Sequence, residues 1–395
     1  MGYNQKMFGL GSKRSIIREI FEYSKTRAME IGAENVYDFS LGNPSIPAPD
    51  AIGKAITELV SEMDPCQLHG YTSSAGDMGV RTAIADSVKE RFGFQADPAM
   101  IYMTCGAAAS LTCSLHALLN AGDEVVVPAP FFPEYRVFVE KAGGVLVPVL
   151  CHQPSFQLDL EAMEAAITAK TKVVMLNSPN NPTGAVYTKE SLVALAAMLK
   201  KKEAELGTEI YLLCDEPYRE LYYGKGTLPW LPDLYDRTVV AYSYSKSLSL
   251  PGERIGYILV SPRMENAGDV FAAVCGAGRS LGFVCAPSLW QRVIAKCLGE
   301  TANVEEYREN CRILSEALTE QGYTVTPPEG AFYLFVKSPE EDANLFCEKA
   351  KKYELLLVPS DSFGVKGFVR IAYCVSRKTI TDSIPAFRAL MEEYK

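Results

Sequence analysis

The sequence predicts an α/β fold: a large domain built on a mostly parallel seven-stranded sheet flanked by helices, plus a smaller α+β domain. Three observations predict it. Seven short apolar runs lie between residues 100 and 261, and they are continuous rather than alternating, the pattern of a sheet buried on both faces. Helical stretches separate most of them, and alternating strands and helices imply parallel pairing through crossovers. A chain of 395 residues is also too long for one small core.

In chain order, the runs read as strands are 100–104, 124–128, 145–150, 172–177, 209–215, 238–243 and 254–261. Helical spacing marks 107–120, 134–142, 158–169 and 189–206. The run at 254–261 follows Lys246 after a short loop with no crossover helix, which leaves antiparallel pairing open. Upstream, residues 1–49 carry one amphipathic helix and a polar loop at 41–49. The pattern changes after about residue 286: a long helical region, 288–321, leads into extended runs at 323–327 and 331–336. A helix near 342–353, strands near 355–359 and 368–373, and a last helix from Ile380 complete the chain. The expected division is residues 50–285 as the large domain, with 1–49 and 286–395 forming the small one. No repeat or low-complexity linker interrupts it.

Composition narrows the function. A net charge of −9 is wrong for a nucleic-acid binder, which needs a basic surface, yet it permits a local anion site. The 11 cysteines are odd in number, scattered and without a Cys-x-x-Cys pair, which fits free thiols in a reducing compartment better than a disulfide framework. Three histidines (His69, His116 and His152) make a His-rich metal site an unsuitable reading. No signal-peptide pattern opens the chain, and no apolar run approaches the ~18 residues of a membrane span. A cytoplasmic enzyme is the expectation.

Ligands of open parallel sheets bind beyond the carboxyl ends of the strands, so the residues just after each run are the candidates. The run at 172–177 is followed by Ser178-Pro179-Asn180-Asn181-Pro182-Thr183-Gly184, and the run at 209–215 ends in Asp215-Glu216-Pro217-Tyr218. Ser243-Tyr244-Ser245-Lys246 follows 238–243, and Gly106-Ala107-Ala108 opens a helix after 100–104. Singly, each has a plain structural reading: Asp215 as a helix cap, Asn-Pro-Thr-Gly as a turn, Lys246 as a solvated lysine. Together they place an amine, a carboxylate, a phenol, an amide and an anion-ready helix start on one edge. A desolvated lysine amine condenses with an aldehyde. A carboxylate keeps a pyridine nitrogen protonated, which makes the ring an electron sink. A phosphate asks for N–H groups at a helix start, hydroxyls and an arginine, and Ala107, Ala108, Ser243, Ser245 and Arg254 offer these.

In this order, Asn-Pro-Thr-Gly, Asp-x-x-Tyr, Ser-x-x-Lys and an arginine eight residues after the lysine resemble the class I aminotransferases, the aspartate aminotransferase family of fold type I pyridoxal phosphate enzymes. The resemblance runs from Leu41-Gly42-Asn43-Pro44 to Gly367-Phe368-Val369-Arg370. It implies pyridoxal 5′-phosphate as cofactor, with Lys246 as its Schiff-base lysine and proton shuttle. Asp215 would then partner the pyridine nitrogen, while Tyr218 and Asn181 bond the ring hydroxyl. Ser243, Ser245, Arg254 and the Gly106–Ala108 backbone would hold the phosphate. Many relatives have hydroxyl or amide side chains after that glycine, so this loop would bind through its backbone alone. Phe132 matches the aromatic stacked on the ring. Tyr71 matches a tyrosine donated by the neighbouring subunit, which implies a homodimer with a shared active site. Arg370 and Gly42 resemble the groups that take the substrate α-carboxylate. Arg279 lies where aspartate-specific relatives place an arginine for a distal carboxylate, though its flanking residues differ.

The implied reaction is transamination between an L-amino acid and a 2-oxo acid, with aspartate/glutamate-type substrates if Arg279 plays that part. A β-lyase, a decarboxylase or a cyclopropane-forming synthase would use the same Lys246, Asp215 and Arg370. Ser243-x-x-Lys246 also matches the serine motif of penicillin-recognising enzymes, but no Ser-Asp-Asn or Lys-Thr-Gly string accompanies it. A cofactor-binding regulator would need an added DNA-binding segment, and a dinucleotide enzyme a Gly-x-Gly-x-x-Gly after a strand.

Overall fold

The computed structural model describes residues 2–12 and 15–395. Its strands, in chain order, begin with β1 (Tyr37–Asp38), β2 (Ile101–Thr104), β3 (Glu124–Ala129), β4 (Val145–Leu150) and β5 (Thr171–Asn177). Next come β6 (Tyr211–Asp215), β7 (Thr238–Ser243), β8 (Gly256–Val260), β9 (Thr324–Thr326) and β10 (Tyr333–Lys337). The last are β11 (Leu355–Leu356), β12 (Val358–Pro359) and β13 (Phe368–Ala372).

Seven strands form one sheet in the order β2-β8-β7-β6-β5-β3-β4. The neighbours from β7 to β4 are parallel, and β8 runs antiparallel to both β2 and β7. Because β8 is inverted between them, β2 and β7 point the same way and end on the same edge. Thr104 and Ser243 both face Gly256 across the ladder. Alternate residues enter different cores. Val173 and Met175 pack under the helices Ala107–Leu118 and Ala267–Leu281, while Val174 and Leu176 pack against Lys189–Leu206. That two-sided burial explains the unbroken apolar runs.

A four-stranded antiparallel sheet, β12-β13-β10-β9, is covered by the helices Val304–Gln321 and Arg377–Glu392. β1 pairs in parallel with β11 beside it.

Four expectations change. The first 49 residues carry two helices, Gln5–Ser12 and Ile16–Ile31, and the first buries no side chain, leaving Met7, Phe8 and Leu10 exposed. The region 288–321 splits into Ser288–Lys296 and Val304–Gln321, with Gly299 at positive φ in the break. The run at 355–359 is two strands serving different sheets. The helix Ala267–Leu281 carries Gly268, Gly276 and Gly278, poor helix formers that hid it from the sequence. It is held by packing on Ala107–Leu118.

Candidate active site

Lys246 sits in the one-turn helix Tyr244–Ser247 directly after β7. Ser243 caps that turn, its Oγ accepting from the Ser245 N–H at 3.2 Å. The lysine Nζ points inward, donates to the Gly42 carbonyl at 2.6 Å and lies 5.4 Å from the centre of the Phe332 ring. Burial pushes the amine down to about 8, opposed by Cys374 and helped by the charges of Arg254 and Arg370. At pH 7 about a tenth of it is therefore free base, against well under a thousandth for an ordinary lysine, and the free base is the form that attacks a carbonyl.

Asp215 ends β6 and is buried. Its Oδ2 accepts from the Tyr135 hydroxyl at 2.5 Å, while its Oδ1 is buried with no partner. Burial pushes the carboxyl up to about 7; the Tyr135 hydrogen bond opposes this and Glu216 adds to it. Glu216 is itself neutralised by a buried ion pair with Arg219. The Asn177 amide donates to the Asp215 main-chain carbonyl at 2.8 Å and, through Oδ1, accepts from the Asn181 N–H at 2.7 Å. The ends of β5 and β6 are thus tied together.

At the other end, Gly106 has φ +88°, and a Cβ there would lie 3.3 Å from Arg254 Nη2 and 3.5 Å from Ser243 Oγ. Glycine is required both for the backbone angle and for this close approach. Ser243 and Ser245 hydroxyls are 2.8 Å apart. Arg254, with φ +53°, donates through Nη1 to the Pro251 carbonyl at 2.9 Å. Its other face meets the glycine turn that opens the helix Ala107–Leu118.

Arg370, in β13, is the largest of the fully buried side chains. One Nη donates to Asn181 Oδ1 at 3.2 Å and the other to the Ser40 carbonyl, while Nε is buried and unpartnered. The guanidinium lies 4.7 Å from the Tyr333 ring centre. No ion pair engages it among the described residues, and burial lowers its pKa from the ordinary arginine value. A buried cation without an anion is costly, so the position suits an anionic ligand.

These groups line one cavity of about 520 Å³. Lys246, Arg254 and Arg370 outnumber the carboxylate of Asp215 on its walls, and Arg18 and Glu134 add one charge of each sign. An acidic chain therefore carries a locally positive site. The cavity brings together Gly42, Ala107, Ala108, Phe132, Asn181 and Tyr218 with the residues above. Gly106 lies behind the wall against Arg254. Two expected residues are not brought in by one chain: Tyr71 is 97% exposed, and Arg279 is exposed in the last turn of Ala267–Leu281. Cys285, just past that helix, contacts the Thr72 and Ser74 carbonyls, so the loop that carries Tyr71 packs beside the end of the helix. Sequence reasoning missed Tyr135, Asn177, Tyr333 and Arg18. Asn177 alone had a visible signal, as the polar end of an apolar strand.

The residues fit pyridoxal phosphate on the structure's own terms. An orphaned carboxylate oxygen at Asp215, a low-pKa amine and an anion cradle at Gly106 answer its ring nitrogen, aldehyde and phosphate. Fold and site together define a transferase of fold type I, with a buried lysine at the carboxyl edge of the large sheet. The chain belongs to the family "Aminotransferase class I and II", whose sequence model matches residues 33–387, and it is an aminotransferase. It is 51% identical to an aminotransferase of Eubacterium rectale whose crystal structure superposes with a TM-score of 0.98 over 100% of both chains. An aspartate aminotransferase of Thermotoga maritima is 31% identical over 93% of this chain and 97% of its own. The aspartate aminotransferase of Thermus thermophilus, solved with maleate, is 26% identical with a TM-score of 0.87, covering 99% of this chain and 100% of that one. None of these names favours the lyase, decarboxylase or cyclopropane-forming alternatives.

Proposed function

We propose that this aminotransferase works on pyridoxal 5′-phosphate attached at Lys246 and exchanges amino groups between L-amino acids and 2-oxo acids, with dicarboxylic substrates of the aspartate/glutamate type preferred. The observation that carries the reading is the set of buried, unpaired groups around one amine: Asp215 Oδ1 on one side and the Arg370 Nε on the other. When bound, the cofactor supplies an aldehyde for the amino group and a protonated ring that accepts the charge left by the α-proton. The chain does the rest. Lys246 carries the cofactor between turnovers and, once displaced, moves the α-proton through Nζ. Asp215 holds the ring nitrogen protonated, oriented by Tyr135. Tyr218 and Asn181 bond the ring hydroxyl oxygen, and Phe132 stacks on the ring. Ser243, Ser245, Arg254 and the N–H groups of Ala107 and Ala108 take the phosphate. Arg370 grips the substrate α-carboxylate with two N–H donors, and the Gly42 backbone lies against the same group.

Residues 50–285 form the cofactor-binding domain in this reading and 1–49 with 286–395 the smaller one, with the helix Ser288–Lys296 packed into the core of the first. The exposure of Tyr71 and Arg279, outside the cavity of their own chain, supports a homodimer in which each copy lends both residues to its neighbour's cavity: Tyr71 to the phosphate, Arg279 to a distal carboxylate. The maleate in the Thermus relative is a dicarboxylate, which supports the substrate class. The eleven free cysteines suit a reducing cytoplasm, and no helix among the described residues is long and apolar enough to cross a membrane.

The test is an absorbance spectrum of the protein supplied with pyridoxal phosphate, followed by an amino-acid screen. The expected result is a visible band that aspartate bleaches with release of oxo acid. Pyruvate and ammonia formed without an acceptor would turn the reading to a lyase, and the absence of any band would end it.

A further inference from the structure

Tyr333 opens β10, on the four-stranded sheet next to the strand that carries Arg370. It is buried, and it meets three working groups of the cavity at once. Its hydroxyl lies 3.1 Å from the hydroxyl of Tyr218, which follows β6 of the seven-stranded sheet. Its ring lies under the Arg370 guanidinium at 4.7 Å. Its hydroxyl also sits over Gly42, where an added Cβ would be 2.0 Å away, and the Gly42 carbonyl holds Lys246 Nζ. Resting on the cofactor reading above, we propose that Tyr333 is a positioning residue that couples the carboxylate grip of Arg370 to the hydrogen bond of Tyr218, across the seam between the two sheets.

The chemistry follows from the contacts. When Tyr333 donates its proton to the Tyr218 oxygen, the Tyr218 proton is left for the cofactor's ring oxygen, and a phenol that accepts a hydrogen bond is the stronger donor. The ring oxygen's anionic form is stabilised accordingly. On the other side, the aromatic face holds the guanidinium plane in the orientation that offers two N–H groups to a carboxylate. A bound carboxylate that draws on Arg370 thus acts on the same side chain that braces Tyr218. A tyrosine that merely filled space would do neither.

The test uses full-length protein loaded with pyridoxal phosphate and the variants Tyr333→Phe, Tyr333→Leu, Tyr218→Phe and the double phenylalanine variant. The readout is the pH midpoint of the visible band, with KM for the amino acid alongside. Tyr333→Phe is expected to raise the midpoint by about 0.3–1 pH unit, the equivalent of a ~2- to 10-fold effect of one hydrogen bond. In the Tyr218→Phe background the same change should add nothing. Tyr333→Leu should in addition raise KM about 2- to 5-fold through loss of the ring from Arg370. A Tyr333→Phe midpoint equal to the parent's, or a shift that persists undiminished without the Tyr218 hydroxyl, overturns the proposal alone. A parent with no visible band overturns the cofactor reading and this proposal with it.

Discussion

Replacing Asp215 by Asn should stabilise the cofactor-free protein, and by more at pH 8 than at pH 5. The carboxyl is held up at about 7 by burial, from an ordinary value of 3.8. The sign follows from proton counts. Between 3.8 and 7 the folded state binds more protons at this site than the unfolded state, so stability falls as pH rises through that window and stays low above it. Each unit of pKa difference corresponds to about 1.4 kcal/mol. The cost of Asp215 to the folded state is then about 4 kcal/mol at pH 8 and about 2 kcal/mol at pH 5. Asparagine carries no charge and its Oδ1 can still accept from Tyr135, so it escapes this cost. Any pH-independent change, such as a weaker bond to Tyr135, cancels between the two pH values, and the pH-dependent contribution of Lys246, common to both proteins, cancels between parent and variant at each pH. Urea unfolding of both proteins without cofactor measures the difference. The expected stability advantage of Asp215→Asn is larger at pH 8 than at pH 5 by about 2–3 kcal/mol, while the loaded variant loses activity. An advantage that is the same at both pH values would refute the claim that the carboxyl is held protonated by burial.

Arg370→Leu removes the two-pronged carboxylate grip, and KM for the amino acid is expected to rise about 30- to 150-fold, the worth of ~2–3 kcal/mol for charge-assisted bonds; steady-state kinetics with unchanged KM would reassign the residue. Gly106→Ala forces a side chain onto a φ of +88° and within 3.3 Å of Arg254. It should cost about 1–3 kcal/mol, seen as a lower urea midpoint and weaker retention of pyridoxal phosphate on dialysis. Arg279→Leu should lower the preference for aspartate over alanine, measured as a ratio of kcat/KM, by tenfold or more on the scale of one charged hydrogen bond; an unchanged ratio removes Arg279 from the site.

The large sheet was legible because each of its central strands is buried on both faces, and the residues that show this are contiguous. Val173 to Leu176 go alternately into two cores, so the run looks apolar throughout and its boundaries show clearly. The short loop before β8 left antiparallel pairing open, and β8 is indeed inverted. The small sheet was less legible. Leu355 to Pro359 reads as one strand because nothing local marks the change of partner at Leu357, where β11 gives way to β12. The helix Ala267–Leu281 was invisible for the opposite reason: its glycines are poor helix formers, and it is held by packing on Ala107–Leu118, a contact that lies far away in sequence. Of its glycines only Gly278 makes a close approach, and to β2: a Cβ there would meet the Tyr102 hydroxyl at 2.2 Å.

Within the cavity the division runs along a physical line. Residues whose partner is to be a ligand carry unsatisfied groups: Asp215 Oδ1, Arg370 Nε and the amine of Lys246, held only by a carbonyl. Asp215 and Lys246 also stand where polar residues follow apolar strands, so their chemistry shows locally in the sequence. Arg370 and Gly42 come from the other sheet and its approach, and only the family resemblance pointed to them. Residues whose partner is another side chain have no local mark at all. Tyr135 is 80 positions from Asp215, and Tyr333 is 115 from Tyr218. Each is a buried aromatic in an ordinary helix or strand, indistinguishable from core until the hydroxyl is seen to point at its partner. Of the groups that would touch the ligand, those at the carboxyl edge of the large sheet are therefore the ones a strand-end reading finds. The groups that set their charge and direction emerge only when the two sheets are brought together.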